Sequence, residues 1–144
     1  MKTRSVIFAA AMHAASAAHA APSAVTISDA WIRALPGSTP SGGYFTLKNA
    51  GDTAVSLTGA TSPACGMLML HKSDMMGGMA HMDMVDSVDV PAHGSLSFTP
   101  GGYHLMCMDP PAPLKPGTSV PVTLQFKGGA SLTAPFAVRN AAGH

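Results

Sequence analysis

His104-Leu105-Met106 places an imidazole and a thioether two residues apart. On an extended strand, residues i and i+2 face the same way, roughly 6.5–7 Å apart along the chain. Both side chains can then reach one ion. Neutral imidazole and thioether sulfur are borderline to soft ligands, a combination that selects Cu(I). His71 ends the alternating run Met67-Leu68-Met69-Leu70-His71, and Met82 follows the Gly77-Gly78 turn. If that hairpin carries both to the edge held by His104, the four side chains His71, Met82, His104 and Met106 form a His2Met2 set. Of the 11 methionines, Met1 and Met12 stand near the N-terminus and all the others lie between Met67 and Met108. The enrichment is local, so it is not a general use of methionine in the core. It points to a bound soft metal, with copper as the expected guest.

The neighbouring residues carry plainer readings. Met67 and Met69 are expected to be core filler, because methionine fits irregular gaps. Met75, Met76 and Met79 flank a turn, where packing gives less reason for methionine; they read as auxiliary donors, a capture surface or a docking patch. His81 adjoins Met82 but faces the other way on a strand. His93, in Pro91-Ala92-His93-Gly94, reads as an exposed turn residue. Cys65 and Cys107 fit packed thiols, a disulfide or extra ligands, in that order, and strand alternation turns Cys107 away from Met106. Asp74 and Asp83 are hard oxygen donors, poorly suited to Cu(I).

The elements that must position these groups are short strands. Val25-Thr26-Ile27 with Ala30-Trp31-Ile32-Arg33 alternate as a first strand, and Pro36 to Gly43 reads as a loop. Tyr44 to Lys48, Ala54 to Gly59 and Met67 to His71 are the next three. His81 to Val85 returns after the diglycine turn. Ser95 to Phe98, Tyr103 to Met108, Val120 to Phe126 and Leu132 to Val138 complete the set. About eight short strands, separated by Gly, Pro and Asn turns, predict an all-β sandwich or barrel of Greek-key type. Leu105 and Cys107 then point into the core, opposite His104 and Met106.

Residues 1–20 read as a secretory signal peptide. Lys2 and Arg4 form a basic start, Ser5 to Ala15 an apolar stretch too short to span a bilayer, and Ala18-His19-Ala20 a cleavage site. One domain is expected over residues 21–140, with 141–144 as a short frayed tail. Beyond the peptide, 8 − 2 = 6 basic residues face 7 aspartates and no glutamate, a formal charge of 6 − 7 = −1. That is no footing for nucleic-acid binding, which needs a basic patch. No later stretch is apolar enough to span a membrane. No nucleophile–base arrangement is legible, so the chain is expected not to be an enzyme. In an oxidising compartment a lone thiolate is a poor permanent copper ligand, whereas methionine neither forms disulfides nor carries a titrating proton.

The spacing His71, ten residues, Met82, twenty-one residues, His104, one residue, Met106 resembles the H-x10-M-x21-H-x-M signature of the periplasmic copper chaperones called the PCuAC family. Ala30-Trp31-Ile32-Arg33-Ala34, Gly43 to Asn49 with Gly51-Asp52, Ser62-Pro63 and Pro100 to Met106 extend the match over nearly the whole chain beyond the signal peptide. The resemblance implies a cupredoxin-like β-sandwich binding one Cu(I) through those four side chains. It implies a periplasmic location and delivery toward the dinuclear copper centre of cytochrome c oxidase subunit II, alongside a Sco-type partner. Some members carry a His- and Met-rich C-terminal extension that binds a second copper; this sequence stops at His144 without one, so a second site is not expected. Three alternatives compete: copper sequestration through the same site, a blue-copper electron carrier using Cys107, and a structural sandwich with methionine as filler.

Overall fold

A computed structural model describes residues 24–144; the expected signal peptide lies outside them. Ten strands follow one another: β1 Val25–Arg33, β2 Ser41–Asn49, β3 Val55–Thr61, β4 Met67–Met76, β5 Met79–Met84, β6 Val88–Val90, β7 Ser95–Phe98, β8 Tyr103–Met108, β9 Ser119–Phe126 and β10 Ser131–Arg139. The sheet runs β5-β4-β8-β2-β1-β10-β9-β3-β6, and β4 also pairs with β3. Seven strands, β4 through β8, β2, β1, β10 and β9 to β3, therefore close on themselves as a barrel. β5, β6 and β7 attach outside that ring. β1 and β10 pair in parallel, and the other pairings are antiparallel.

Alternation builds the core as expected. Phe45, Leu47, Leu57, Leu105, Leu124 and Phe136 are each at most 1% exposed. Phe45 packs its ring 4.4 Å from Phe98 and 5.6 Å from Phe136, centroid to centroid. Asn49 is buried yet satisfied. Its amide donates to the carbonyls of Thr53, Val90 and Pro91, and its side-chain oxygen accepts from the Gly51 N–H. It pins the β2–β3 turn to the connection after β6.

Several expectations need correction. Ser41-Gly42-Gly43 belongs to β2, not to a loop, because Ser41, Gly42 and Gly43 pair with Cys107, Met106 and Leu105. Glycine there is not a turn signal but a close approach, as the site below shows. β6 is only three residues long, too short for a periodic signal. β1 is one strand with a bulge between Ser28 and Trp31, absorbed by Asp29 at φ 51°, a region that Asp tolerates better than most side chains. At the C-terminal tail, hydrogen bonds run back to Asn140. The Asn140 side chain accepts from the N–H groups of Ala142 and His144, and the Asn140 N–H donates to the His144 carbonyl.

Cys65 and Cys107 form a disulfide, with their Cα atoms 5.4 Å apart. The thiol alternatives weighed in the sequence are thereby closed. The bond ties the start of β4 to β8. Next to it the Gly66 N–H donates to the Asp109 carbonyl at 3.0 Å. A Cβ on Gly66 would stand 2.6 Å from that same oxygen, a backbone atom. Gly66→Ala should therefore prise β4 from β8 at this end and cost about 1–3 kcal/mol. Denaturant unfolding checks this, and an unchanged midpoint would contradict it.

Candidate metal centre

The β4–β5 hairpin turns through Gly77 and Gly78, at φ 60° and 78°, the pair of left-handed residues that a two-residue type I′ turn requires. It sets His71 opposite Met84 and Ser73 opposite Met82. On the other side of β4, His71 pairs with His104, Met69 with Met106 and Met67 with Met108. Cross-strand partners share a face. So Met67, Met69, His71, Met82, Met84, His104, Met106 and Met108 all project from one face of β5, β4 and β8. Leu68, Leu70, Leu105 and Cys107 project from the other face, into the core, where each is at most 8% exposed.

All four side chains singled out by spacing thus lie on one face. His71 and His104 are directly paired, with ring centroids 5.7 Å apart at 63°. Met106 sits two residues from His104 on β8. Met82 is the outlier in register: it stands diagonally from His71, while Met84 stands directly across. His71 is not at a strand end, as the run length suggested, because β4 continues to Met76. Nor are the ligand candidates on loops, since each lies within a strand.

Burial makes the imidazoles unusual. His104 is 4% exposed and Met106 9%. The His104 Nδ1 lies 3.1 Å from the Gly102 carbonyl. A carbonyl only accepts, so Nδ1 carries the proton and Nε2 is left as a lone pair. That Nε2 is buried without a partner, and so are both ring nitrogens of His71. Buried polar atoms are normally paired, and leaving one unpaired costs about 1–3 kcal/mol. One lone pair on each of two adjacent neutral rings thus lacks a hydrogen-bond partner and is available to a metal ion. Burial, and then the neighbouring His104, hold the His71 imidazole below the ordinary histidine value, which keeps it neutral and able to donate a lone pair. A soft monovalent cation fits this donor set.

The remaining residues divide clearly. Met82 and Met84 are more than half exposed, as are Met67, Met75 and Met79. The reading of Met67 and Met69 as core filler therefore fails: they belong to the outer face, and Leu68 and Leu70 fill the core. Met84 was passed over in the sequence, although its i+2 spacing from Met82 places the two side by side. Met69 and Met84 line one surface pocket. His81 pairs with Asp74 on the opposite face, as alternation predicted. His93 stands in its turn with Nε2 2.7 Å from Asp52, and Lys72 pairs with Asp74 at 3.6 Å.

An aromatic wall borders the face. Gly42, the strand partner of Met106, leaves room for Tyr44, whose ring folds over it so closely that a Cβ on Gly42 would overlap the phenol. Tyr44 packs against Trp31 with ring centroids 4.7 Å apart and the planes tilted by 41°. Arg33 lies over both rings and Arg139 over Trp31.

Comparison with known proteins places this architecture. Residues 25–138 match the family model described as putative lipoprotein LpqE-like. Putative lipoprotein Lxx21020 of Leifsonia xyli subsp. xyli is 37% identical over 115 residues, 79% of this chain and 68% of that protein. This chain belongs to the LpqE-like family. Among solved structures, apo-DR1885 from Deinococcus radiodurans is 33% identical, with a TM-score of 0.64 over 97% of this chain and 95% of that one. CuI-DR1885 from the same organism is 36% identical, with a TM-score of 0.63 over 76% and 74%. The copper-bound PCuAC domain from PmoF2 superposes with a TM-score of 0.67 over 81% and 93%, at 24% identity, a level that speaks for the fold alone. The LpqE-like chain thus has an all-β, cupredoxin-like fold shared with the PCuAC domains, as the strand pattern indicated for the all-β class and the resemblance implied for the fold.

Proposed function

We propose that this protein is an exported copper carrier rather than an enzyme. It holds one Cu(I) through His71, Met82, His104 and Met106, and passes it on by stepwise ligand exchange. The observation that carries the reading is the paired imidazoles with three orphaned nitrogens, set beside a buried thioether. The LpqE-like membership, with its lipoprotein relatives, and the copper-bound forms of the structural neighbours support it. The disulfide fits an oxidising compartment, in keeping with the signal peptide expected over residues 1–20 and the periplasmic location proposed here. Met82 is the ligand best placed to leave first. It is 53% exposed, stands diagonally from the pair, and needs no proton when it lets go.

The acceptor that the sequence resemblance suggests is the dinuclear copper centre of cytochrome c oxidase subunit II, with a Sco-type protein as the other candidate. Sequestration would use the same site with no acceptor. The two readings separate in a transfer assay: Cu(I)-loaded protein mixed with an oxidase copper domain should lose its metal to that domain, and retention would favour sequestration. The electron-carrier alternative required a cysteine thiolate and a trigonal His2Cys site. The Cys107 sulfur is engaged in the disulfide and its side chain lies on the core side, so this structure gives that reading no support.

Protons and Cu(I) compete for the same ring nitrogens. Affinity should therefore fall with falling pH. Because the His71 pKa lies below 6.5, its part of the loss begins on the acid side of that value. The sign for the metal-free protein is the same. The unfolded chain protonates His71 more readily than the folded one, so stability present above pH 6.5 drains away as pH falls toward the folded-state pKa. Chelator competition from pH ~7.5 to ~4.5 checks the first statement, and a flat profile would speak against imidazole ligation.

A further inference from the structure

The methionines left over when one copper takes His71, Met82, His104 and Met106 are not scattered. Met67 pairs with Met108 and Met69 with Met106 across β4 and β8. Directly opposed residues have Cβ atoms about 4.5–5.5 Å apart, and Met67 and Met69 are two residues apart on one face, about 6.5–7 Å. A methionine side chain has three rotatable bonds and adapts its reach. Three thioethers can therefore converge from this block without moving the backbone. Packing does not account for Met67. Met67 is 55% exposed while its neighbour Leu68 fills the core at 8%, so an apolar role for Met67 is unfulfilled in the fold. The disulfide between Cys65 and Cys107 holds the two strands together at this end, which fixes the spacing of the block.

We propose that Met67, Met69 and Met108 form a second, all-thioether site for a soft monovalent cation, Cu(I) or Ag(I), beside the imidazole pair. Met106 lies between the two sites, in register with Met69 and two residues from Met108. An ion held by the three thioethers is thus one ligand exchange from the imidazoles, and the outer block acts as a capture site for the inner one. Thioether sulfur is a soft donor that selects monovalent copper over Zn(II), Mg(II) or Ca(II). Binding here involves no redox step and releases no proton. Binding at the three thioethers does not depend on the imidazole site holding copper, since none of these donors belongs to that set; the capture role rests on that reading.

The test is a titration of the protein with Ag(I), a redox-stable stand-in for Cu(I), followed by NMR of methyl-labelled methionine. Two equivalents should bind, and the methyl signals of Met67, Met69 and Met108 should shift together as one of them fills. The double variant Met67→Leu/Met108→Leu should lose that equivalent and keep the other, with the Met82, Met106 and imidazole signals responding as before. Leucine at the exposed Met67 leaves the fold intact, and the response of the imidazole signals reports this directly. Two outcomes overturn the proposal: the double variant still binding two equivalents, or the three methyl signals in the unsubstituted protein staying fixed through two equivalents. If those three shift while the imidazole signals do not, the outer site stands and the inner one falls.

Discussion

Replacing His71 with leucine should abolish tight Cu(I) binding at the imidazole pair and leave the metal-free protein as stable as before, or more so. His71 has both ring nitrogens buried and unpaired, a cost the fold bears in the absence of metal. Substituting an apolar group of similar size removes that cost, and such replacements are often neutral or stabilising. His71 as a whole is only half-buried, so the gain should be about 1 kcal/mol, or about 4 °C in Tm. The effect on copper runs the other way. Loss of a partner outside the ligand set of a metal typically costs 10–100-fold in affinity; loss of a direct ligand should exceed about 100-fold. The opposite signs are the informative part, because a residue that merely packs would lower stability when changed. Thermal denaturation and chelator competition on the same sample measure both. A variant that unfolds early, or one that still holds copper tightly through the remaining imidazole, would contradict the assignment.

The second large effect belongs to the disulfide. Cys65 and Cys107 are 42 residues apart in sequence. On the chain-entropy model, closing a loop of that size in the unfolded state stabilises the fold by about 4 kcal/mol. Small domains have only about 5–15 kcal/mol in total. Cys65→Ala/Cys107→Ala, or reduction, should thus remove a large share of the stability and lower Tm by roughly 15 °C. Cys107 is fully buried between Met106 and Met108 on β8, so copper affinity should weaken as well, through loosened β4–β8 register rather than through loss of a donor. A stability change under about 1 kcal/mol would show that the bond is incidental to the fold.

Much of this was legible in the residues. Alternation located most strands, and the diglycine turn fixed the hairpin that brings Met82 back toward His71. Strand periodicity correctly separated His104 and Met106 from Leu105 and Cys107. What periodicity cannot supply is which outer positions become covered. Nothing in His-Leu-Met says that His104 ends up at 4% exposure while Met67, on the same face, stays at 55%. That depends on how β5, β4 and β8 sit together and on Tyr44 folding over Gly42, contacts made between segments far apart in the chain. The same limit explains the misreading of Ser41-Gly42-Gly43. Glycine marks both turns and close approaches, and only the fold shows that Tyr44 needs the space. The disulfide was one of three open options because spacing alone does not set the distance between two Cα atoms. Met84 carries no such mark, because the spacing that singles out Met82, ten intervening residues after His71, says nothing of its neighbour at i+2.

X-ray absorption on the protein loaded with a single equivalent of Cu(I) tests the ligand assignment most directly. Two nitrogen and two sulfur scatterers about the copper are expected. A first shell of sulfur alone, or of oxygen and nitrogen without sulfur, would contradict the account.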